Sequence, residues 1–321
     1  MDAVELQTVE RTLLDLASRF DGEGLTRSLD EFGWSELLET EPVDATDALF
    51  SAQGRSGSWS AALHDVLATA SRLPNVEVGR SAILIPRPGA EDCTMSENRL
   101  GGLLVGARPD FDAILAVADM DGAVQLRRID RDDTSIRAVS GLDDGLLILD
   151  VHATSVRSQA VAAGDSVAQW WLTVVAAGRR ALCFELCGAM EAMIELAVTH
   201  ATERHQFGRP VGSFQAVRHR LAECRVTATS AHAAARASFD GHEPVLASMT
   251  AKVVAGRAQR LVATHCQQVL AGIGFTADHP FHRFMFRATT IDRLFGSATE
   301  LAPVVGSKLI ARGEPIRLAE L

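Results

Sequence analysis

The residues with the most chemistry to offer stand in one run, Glu203-Arg204-His205-Gln206-Phe207-Gly208-Arg209-Pro210-Val211-Gly212-Ser213-Phe214-Gln215-Ala216. Its pattern is a helix ending in arginine, a Gly/Pro turn and a new helix start. That leaves the Arg204 guanidinium beside N–H groups without intrahelical partners, with Ser213 placed to cap the second helix. A bidentate cation beside such donors suits a diphosphate. The same residues also make a plain helical hairpin whose arginine pairs with an acid on a neighbouring helix, and residue types alone leave both readings open. A second run, Gln268-Val269-Leu270-Ala271-Gly272-Ile273-Gly274-Phe275-Thr276, places an amide ahead of small residues that let a ligand or another chain come close to backbone. Read by itself it is equally a helix C-terminus with glycine caps.

The remaining chemistry is thin. Cys183 and Cys187 share a helix face, but no further ligand stands at zinc-like spacing, so small buried thiols of a reducing compartment are expected and no metal site. The chain carries a net charge of −10, which argues against general nucleic-acid binding but not against an anionic small ligand held by a few arginines. Positive charge is almost all arginine, lysine being confined to Lys252 and Lys308. No apolar run is long enough for a membrane span, and Met1-Asp2-Ala3-Val4-Glu5 is not the start of a secretory signal, so a cytoplasmic protein is expected.

Three regions must position these residues. Residues 1–80 read as helices: one over Val4–Phe20 that breaks at Asp21-Gly22-Glu23-Gly24, one around Phe32-Gly33-Trp34 ending before Glu41-Pro42, and one from Trp59 to Leu73 that stops at Pro74. Residues 81–158 carry short apolar runs separated by Gly, Asp, Pro and Asn, which predicts a small, mainly antiparallel β domain. Residues 159–321 turn helical again, with long stretches over about 167–205, 214–239, 244–270 and 282–310, which predicts an antiparallel four-helix bundle. The expected class is mainly α with a central β domain.

The two runs, in this order and spacing, resemble the acyl-CoA dehydrogenase family. They approach Arg-x-x-Phe-Gly-x-x-x-x-x-Phe-Gln followed by Gln-x-x-x-Gly-x-Gly-Phe, and the helical–β–helical order agrees. The resemblance implies an FAD-dependent fold that oxidises acyl-CoA thioesters to the 2,3-enoyl form and is reoxidised by an electron-transfer flavoprotein. It also implies that Arg204, Phe207, Gln215, Gln268 and the backbone near Gly272 contact the adenosine diphosphate end of an FAD held mainly by a neighbouring subunit.

The sequence departs from that family at the base. Counting on from Gln268 by the family's spacing lands on Leu294-Phe295-Gly296-Ser297, so Phe295 replaces the usual glutamate. Counting back from Arg204 to the position some members use instead lands on Gly178-Arg179, again without a carboxylate. Glu185, Glu191 and Glu195 on the preceding helix, with Asp292 and Glu300 beside Phe295, are the acids near these places, and Glu185 and Asp292 are the candidates for a relocated base. The strand expected to cradle the flavin ring reads Arg99-Leu100-Gly101-Gly102-Leu103-Leu104-Val105-Gly106-Ala107-Arg108, without the family's Trp or Thr. The amino-terminal region is also short for the family. The half that reaches a neighbour's FAD is retained while the half that holds a flavin ring and takes a proton is eroded. This pattern resembles the shortened, non-catalytic subunit of actinobacterial α2β2 acyl-CoA dehydrogenases. A self-sufficient dehydrogenase with a relocated base and a non-redox scaffold that binds an acyl-CoA or a partner are the alternatives.

Overall fold

A computed structural model describes residues 1–70, 80–89, 94–96, 99–120, 122–143, 145–240 and 243–313. The helical amino-terminal region holds α1 (Ala3–Arg19), α2 (Gly22–Phe32), α3 (Trp34–Thr40), α4 (Pro42–Ser56) and α5 (Ala62–Ala70). The glycines expected to end the first helix instead start the second: Asp21 accepts from the Gly22 N–H, and α2 runs until Gly33, whose φ of 86° ends it. The expected helix end at Leu73-Pro74 lies outside the described residues.

Sequence reading missed α4, and the reason is physical. The helix is buried on several sides, so its apolar residues follow no single stripe. Small residues let it cross the core helix that follows the sheet at backbone distance. A Cβ built at Gly54 would sit 2.0 Å from the Glu185 carbonyl oxygen, and one at Gly188 would sit 2.1 Å from that of Ser51. Glycine is required at both.

The sheet contains β1 (Ser81–Ile83), β2 (Met95–Ser96), β3 (Arg99–Val105), β4 (Ala113–Met120), β5 (Ala123–Asp130), β6 (Ser135–Ala138), β7 (Ile148–Thr154) and β8 (Gln159–Ala163). The strand order is β6-β7-β3-β2-β4-β5-β8, with β1 also pairing β4. Pairing is antiparallel except for β1–β4 and β2–β4, which are parallel. The sheet continues to residue 163, past the boundary expected at 158, because β8 pairs with β5. Side chains alternate between faces along β4: Leu115 and Val117 join the large core shared with the helices, whereas Ile114, Ala116 and Ala118 join a second core on the opposite face.

The last region is built on α6 (Asp165–Glu203), with α7 (Gln215–Ala237), α8 (Pro244–Leu270), α9 (Phe281–Arg293) and α10 (Ala298–Arg312). The single helix expected over 282–310 is two helices. Phe295 and Gly296 take left-handed φ values of 57° and 90°, and Ser297 caps α10 through a reciprocal bond pair with Glu300. Three long helices and this bent pair thus fill the four positions of the bundle. Trp170 and Trp171 are buried in the large core. The described cysteines, Cys183, Cys187, Cys224 and Cys266, are free and buried.

Candidate functional site

The end of α6 and the end of α8 face each other across a cleft of about 880 Å³. Arg204, Gln268 and Gly272 all line it, so the two runs singled out in sequence meet in space. Arg204 follows the last turn of α6, its N–H bonded to the His200 carbonyl, and its own carbonyl accepts from Val211 at 2.8 Å. This bond closes a small hairpin, His205–Gln206 against Arg209–Pro210. Phe207, at the hairpin tip, is 92% exposed and has a φ of 54°. Its ring meets Phe214 edge-on at 6.2 Å, and Arg209 stacks on the Phe214 ring at 4.2 Å. Phe207 and Gln215 lie outside the cleft lining. Ser213 does not cap α7: Phe214 holds the N-cap position without a side-chain bond, and the Ser213 hydroxyl is buried without a partner.

The cleft also holds two groups that sequence reading did not single out, His200 and Arg220. The His200 pKa is lowered, first by burial and then by His279 and Arg204. Neither Arg204 nor Arg220 is ion-paired with a described carboxylate. A Cβ built at Gly272 would meet nothing within 4 Å, so backbone there is open to a ligand. Two guanidiniums, an amide and open backbone are a donor set for an anionic, phosphate-bearing group.

The two places where a catalytic base could stand converge as well, and they fill each other. The Phe295 ring lies directly on Gly178 of α6: a Cβ built at Gly178 would sit 2.7 Å from both Cε2 and Cζ of that ring and 3.1 Å from Leu67 Cδ2. Arg179 donates to the Phe295 carbonyl at 2.9 Å, fixing the turn. From the other side the fully buried Lys252 donates to the carbonyls of Asp292 at 2.8 Å and Gly296 at 3.3 Å. A lysine inside the apolar run of α8, in a chain with two lysines, is the signal that could have pointed to this grip.

Each acid near these places has a partner. Glu185 is 5% exposed and lies 3.7 Å from the guanidinium of Arg287, whose Nε is 3.0 Å from Asp143. Burial pushes the Glu185 carboxyl up to about 7, against the pull of Arg287 and with help from Asp143. Arg287 is itself buried and donates to the carbonyls of Gly57 and Ser58. Asp292 is buried beside Lys252 at 3.5 Å and accepts from the Ala298 N–H at 3.3 Å. Glu191 pairs with Arg225, Glu195 with Arg55, and Glu300 with Ser297. Neither Glu185 nor Asp292 lines any of the described cavities.

On β3 the glycines that stand where a flavin ring is expected are covered by the chain's own groups. A Cβ at Gly101 would sit 2.6 Å from Arg87 Nη1, and one at Gly102 would sit 2.6 Å from the Ile85 carbonyl oxygen. Arg87 is held there by Asp150 and the Val151 carbonyl. The residues present fit the phosphate end of a dinucleotide at the Arg204 cleft, and they do not fit a flavin ring on β3.

Residues 166–302 match the family model for the acyl-CoA dehydrogenase C-terminal domain. Among curated relatives, acyl-CoA dehydrogenase IpdE2 of Mycobacterium tuberculosis is 37% identical over 120 residues, covering 37% of each chain. Acyl-CoA dehydrogenase FadE27 of the same organism is 31% identical over 220 residues, covering 64% of this chain and 58% of the relative. The matched stretch thus spans about a third to somewhat over half of these relatives' length. Among solved structures, the Tcur3481-Tcur3483 steroid ACAD superposes with a TM-score of 0.79 at 24% identity, covering 97% of this chain and 98% of the other. The ChsE4-ChsE5 complex from Mycobacterium tuberculosis gives 0.78 at 21%, with the same coverage. The fold is that of the acyl-CoA dehydrogenases. Residues 166–302 thus resemble that family's C-terminal domain in sequence, and the whole chain shares the family's fold.

Among the described residues no helix is long and apolar enough to cross a membrane, and no group of acids, histidines and cysteines could hold a metal.

Proposed function

We propose that this chain is the non-catalytic subunit of a heteromeric, FAD-dependent acyl-CoA dehydrogenase. It completes the FAD site of a catalytic partner with Arg204, Gln268 and the backbone at Gly272. Phe207 and Gln215, on the hairpin and the first turn of α7, belong to the same donated surface. The observation that carries the reading is the contact of Phe295 with Gly178: both positions open to a base are occupied by each other, with no carboxylate between them. Bound FAD supplies hydride acceptance from the acyl thioester. This chain's residues hold the cofactor's phosphates and exclude water from that end, while the partner supplies the proton acceptor. Glu185 and Asp292 are then structural, each held by a buried cation. The names of two solved structures with the same fold support a two-chain assembly, since each joins two components. A steroid-derived or fatty acyl-CoA is the substrate class, and an electron-transfer flavoprotein the electron acceptor.

The test is a visible absorption spectrum of the chain purified alone and after co-expression with a dehydrogenase subunit encoded beside it. Colourless protein alone and flavin bands in the co-complex are expected. A yellow chain that is bleached on its own by an acyl-CoA overturns the proposal.

A further inference from the structure

The Arg204 cleft contains more positive charge than the two sequence runs account for. Arg220 lines it from the second turn of α7. It belongs to a group of arginines, Arg204, Arg209, Arg218 and Arg220, that are not ion-paired with any described carboxylate; Arg209 is instead stacked on Phe214. Such a group is conspicuous on a chain of net charge −10. The carboxylate on the cleft lining is Glu203, so Arg204 and Arg220 leave the cleft with a net positive charge. The lowered pKa of His200 has Arg204 and His279 among its causes, which reports the same cationic surroundings.

We propose that Arg220 is a second cationic ligand for the diphosphate of the nucleotide bound in this cleft, opposite Arg204. The inference rests on the reading of the cleft as the adenosine diphosphate end of a partner's FAD, and it adds a residue that the two sequence runs do not contain. One guanidinium at the α6 end and one on the side of α7 bracket an anion from two directions, so each phosphate can have its own planar, two-pronged donor. Concentrating two unpaired guanidiniums in a concave cleft also attracts an anion to a protein that otherwise repels it. His200, whose pKa is lowered first by burial and then by His279 and Arg204, gains a favourable interaction when the anion arrives. Binding therefore takes up a proton and tightens as pH falls through the His200 titration.

The experiment is calorimetric titration of ADP into the full chain at low ionic strength, for wild type and for Arg204→Gln, Arg220→Gln, Arg220→Lys and, as a remote control, Arg257→Gln. Circular dichroism and unchanged melting confirm that the exposed substitutions fold. Arg220→Gln and Arg204→Gln should each weaken ADP by about tenfold or more, the range for removing a hydrogen-bonded charge. Arg220→Lys should recover part of the loss and Arg257→Gln should match wild type. Binding should also weaken with added salt, and this slope should be shallower in Arg220→Gln. ADP affinity that falls in Arg204→Gln but is unchanged in Arg220→Gln overturns the role of Arg220 and leaves the cleft reading intact. No detectable ADP binding by wild type at millimolar concentration overturns both.

Discussion

The Arg204 cleft and the Phe295 contact are built from the same helices and arrive at opposite states. At the ends of α6 and α8 and the start of α7 the chain keeps two unpaired guanidiniums, an exposed amide and open backbone around a cavity of about 880 Å³. At the middle of α6, facing the turn between α9 and α10, Arg179 and Lys252 donate to the carbonyls of the turn and the space is taken by an aromatic ring. A ligand site must leave donors without partners, since a group already paired has little to offer. By that criterion the first region keeps donors free for a ligand and the second does not.

The largest effect that could break this contrast is on cofactor retention. In the complex with a catalytic subunit, Arg204→Gln should release most of the flavin, read as lost flavin absorption after gel filtration, while the chain's own melting temperature stays unchanged. Full retention would place the cleft among ordinary surface features.

Next is the aromatic contact. Phe295→Ala should cost about 3–5 kcal/mol in denaturant unfolding, the usual range for removing a buried ring. Gly178→Ala should cost about 1–3 kcal/mol by overpacking against the same ring. Combined with Phe295→Leu it should cost less than the sum, because the smaller side chain gives way. Phe295→Glu should restore no dehydrogenation to the chain alone, since β3 still covers the place of a flavin ring with Arg87. Turnover in that variant would make the closed region a disabled active site rather than a structural one.

A smaller effect comes from Glu185. Its carboxyl is pushed up to about 7 in the folded chain, above its ordinary value of 4.5. The native state therefore holds a proton that the unfolded chain releases, and stability falls as pH rises from about 4.5 to 7. Glu185→Gln removes this penalty, so urea unfolding should show a flatter pH profile, with a gain of a few kcal/mol at most above pH ~7. An identical slope in the variant would mean that Arg287 keeps Glu185 ionised throughout. The smallest effect is Ser297→Ala, which should cost about 1 kcal/mol by uncapping α10.

Much of this contrast was legible in the sequence, unevenly. α6, α7 and α8 announce themselves by length and by the Gly/Pro punctuation between them, and Arg204, Gln268 and Gly272 stand at their ends, where spacing alone brings them into register. α4 was invisible because a helix buried on several sides shows no stripe, and its polar residues Asp47 and Gln53 look like surface until their partners His232, Arg236 and Ser60 are seen. Strands β2, β6 and β8 are too short or too polar to show a period of two. Counting residues found Phe295 and Gly178 separately. That they touch depends on where α6 passes the α9–α10 turn, a long-range crossing that no local pattern encodes. Arg220 was missed for a related reason: it is one of several arginines on α7 until the cleft distinguishes it.

The buried Lys252 has a practical consequence for anyone mapping the assembly. With its ammonium enclosed by the carbonyls of Asp292 and Gly296, the side-chain amine open to reagents is that of Lys308, near the far end of α10. Cross-links through lysine side chains will therefore register neighbours only around that helix and stay silent over the cleft, the hairpin and the whole sheet. Carboxylate-directed chemistry, on a chain with 41 acidic residues, is the coupling that can trace a partner across the rest of the surface.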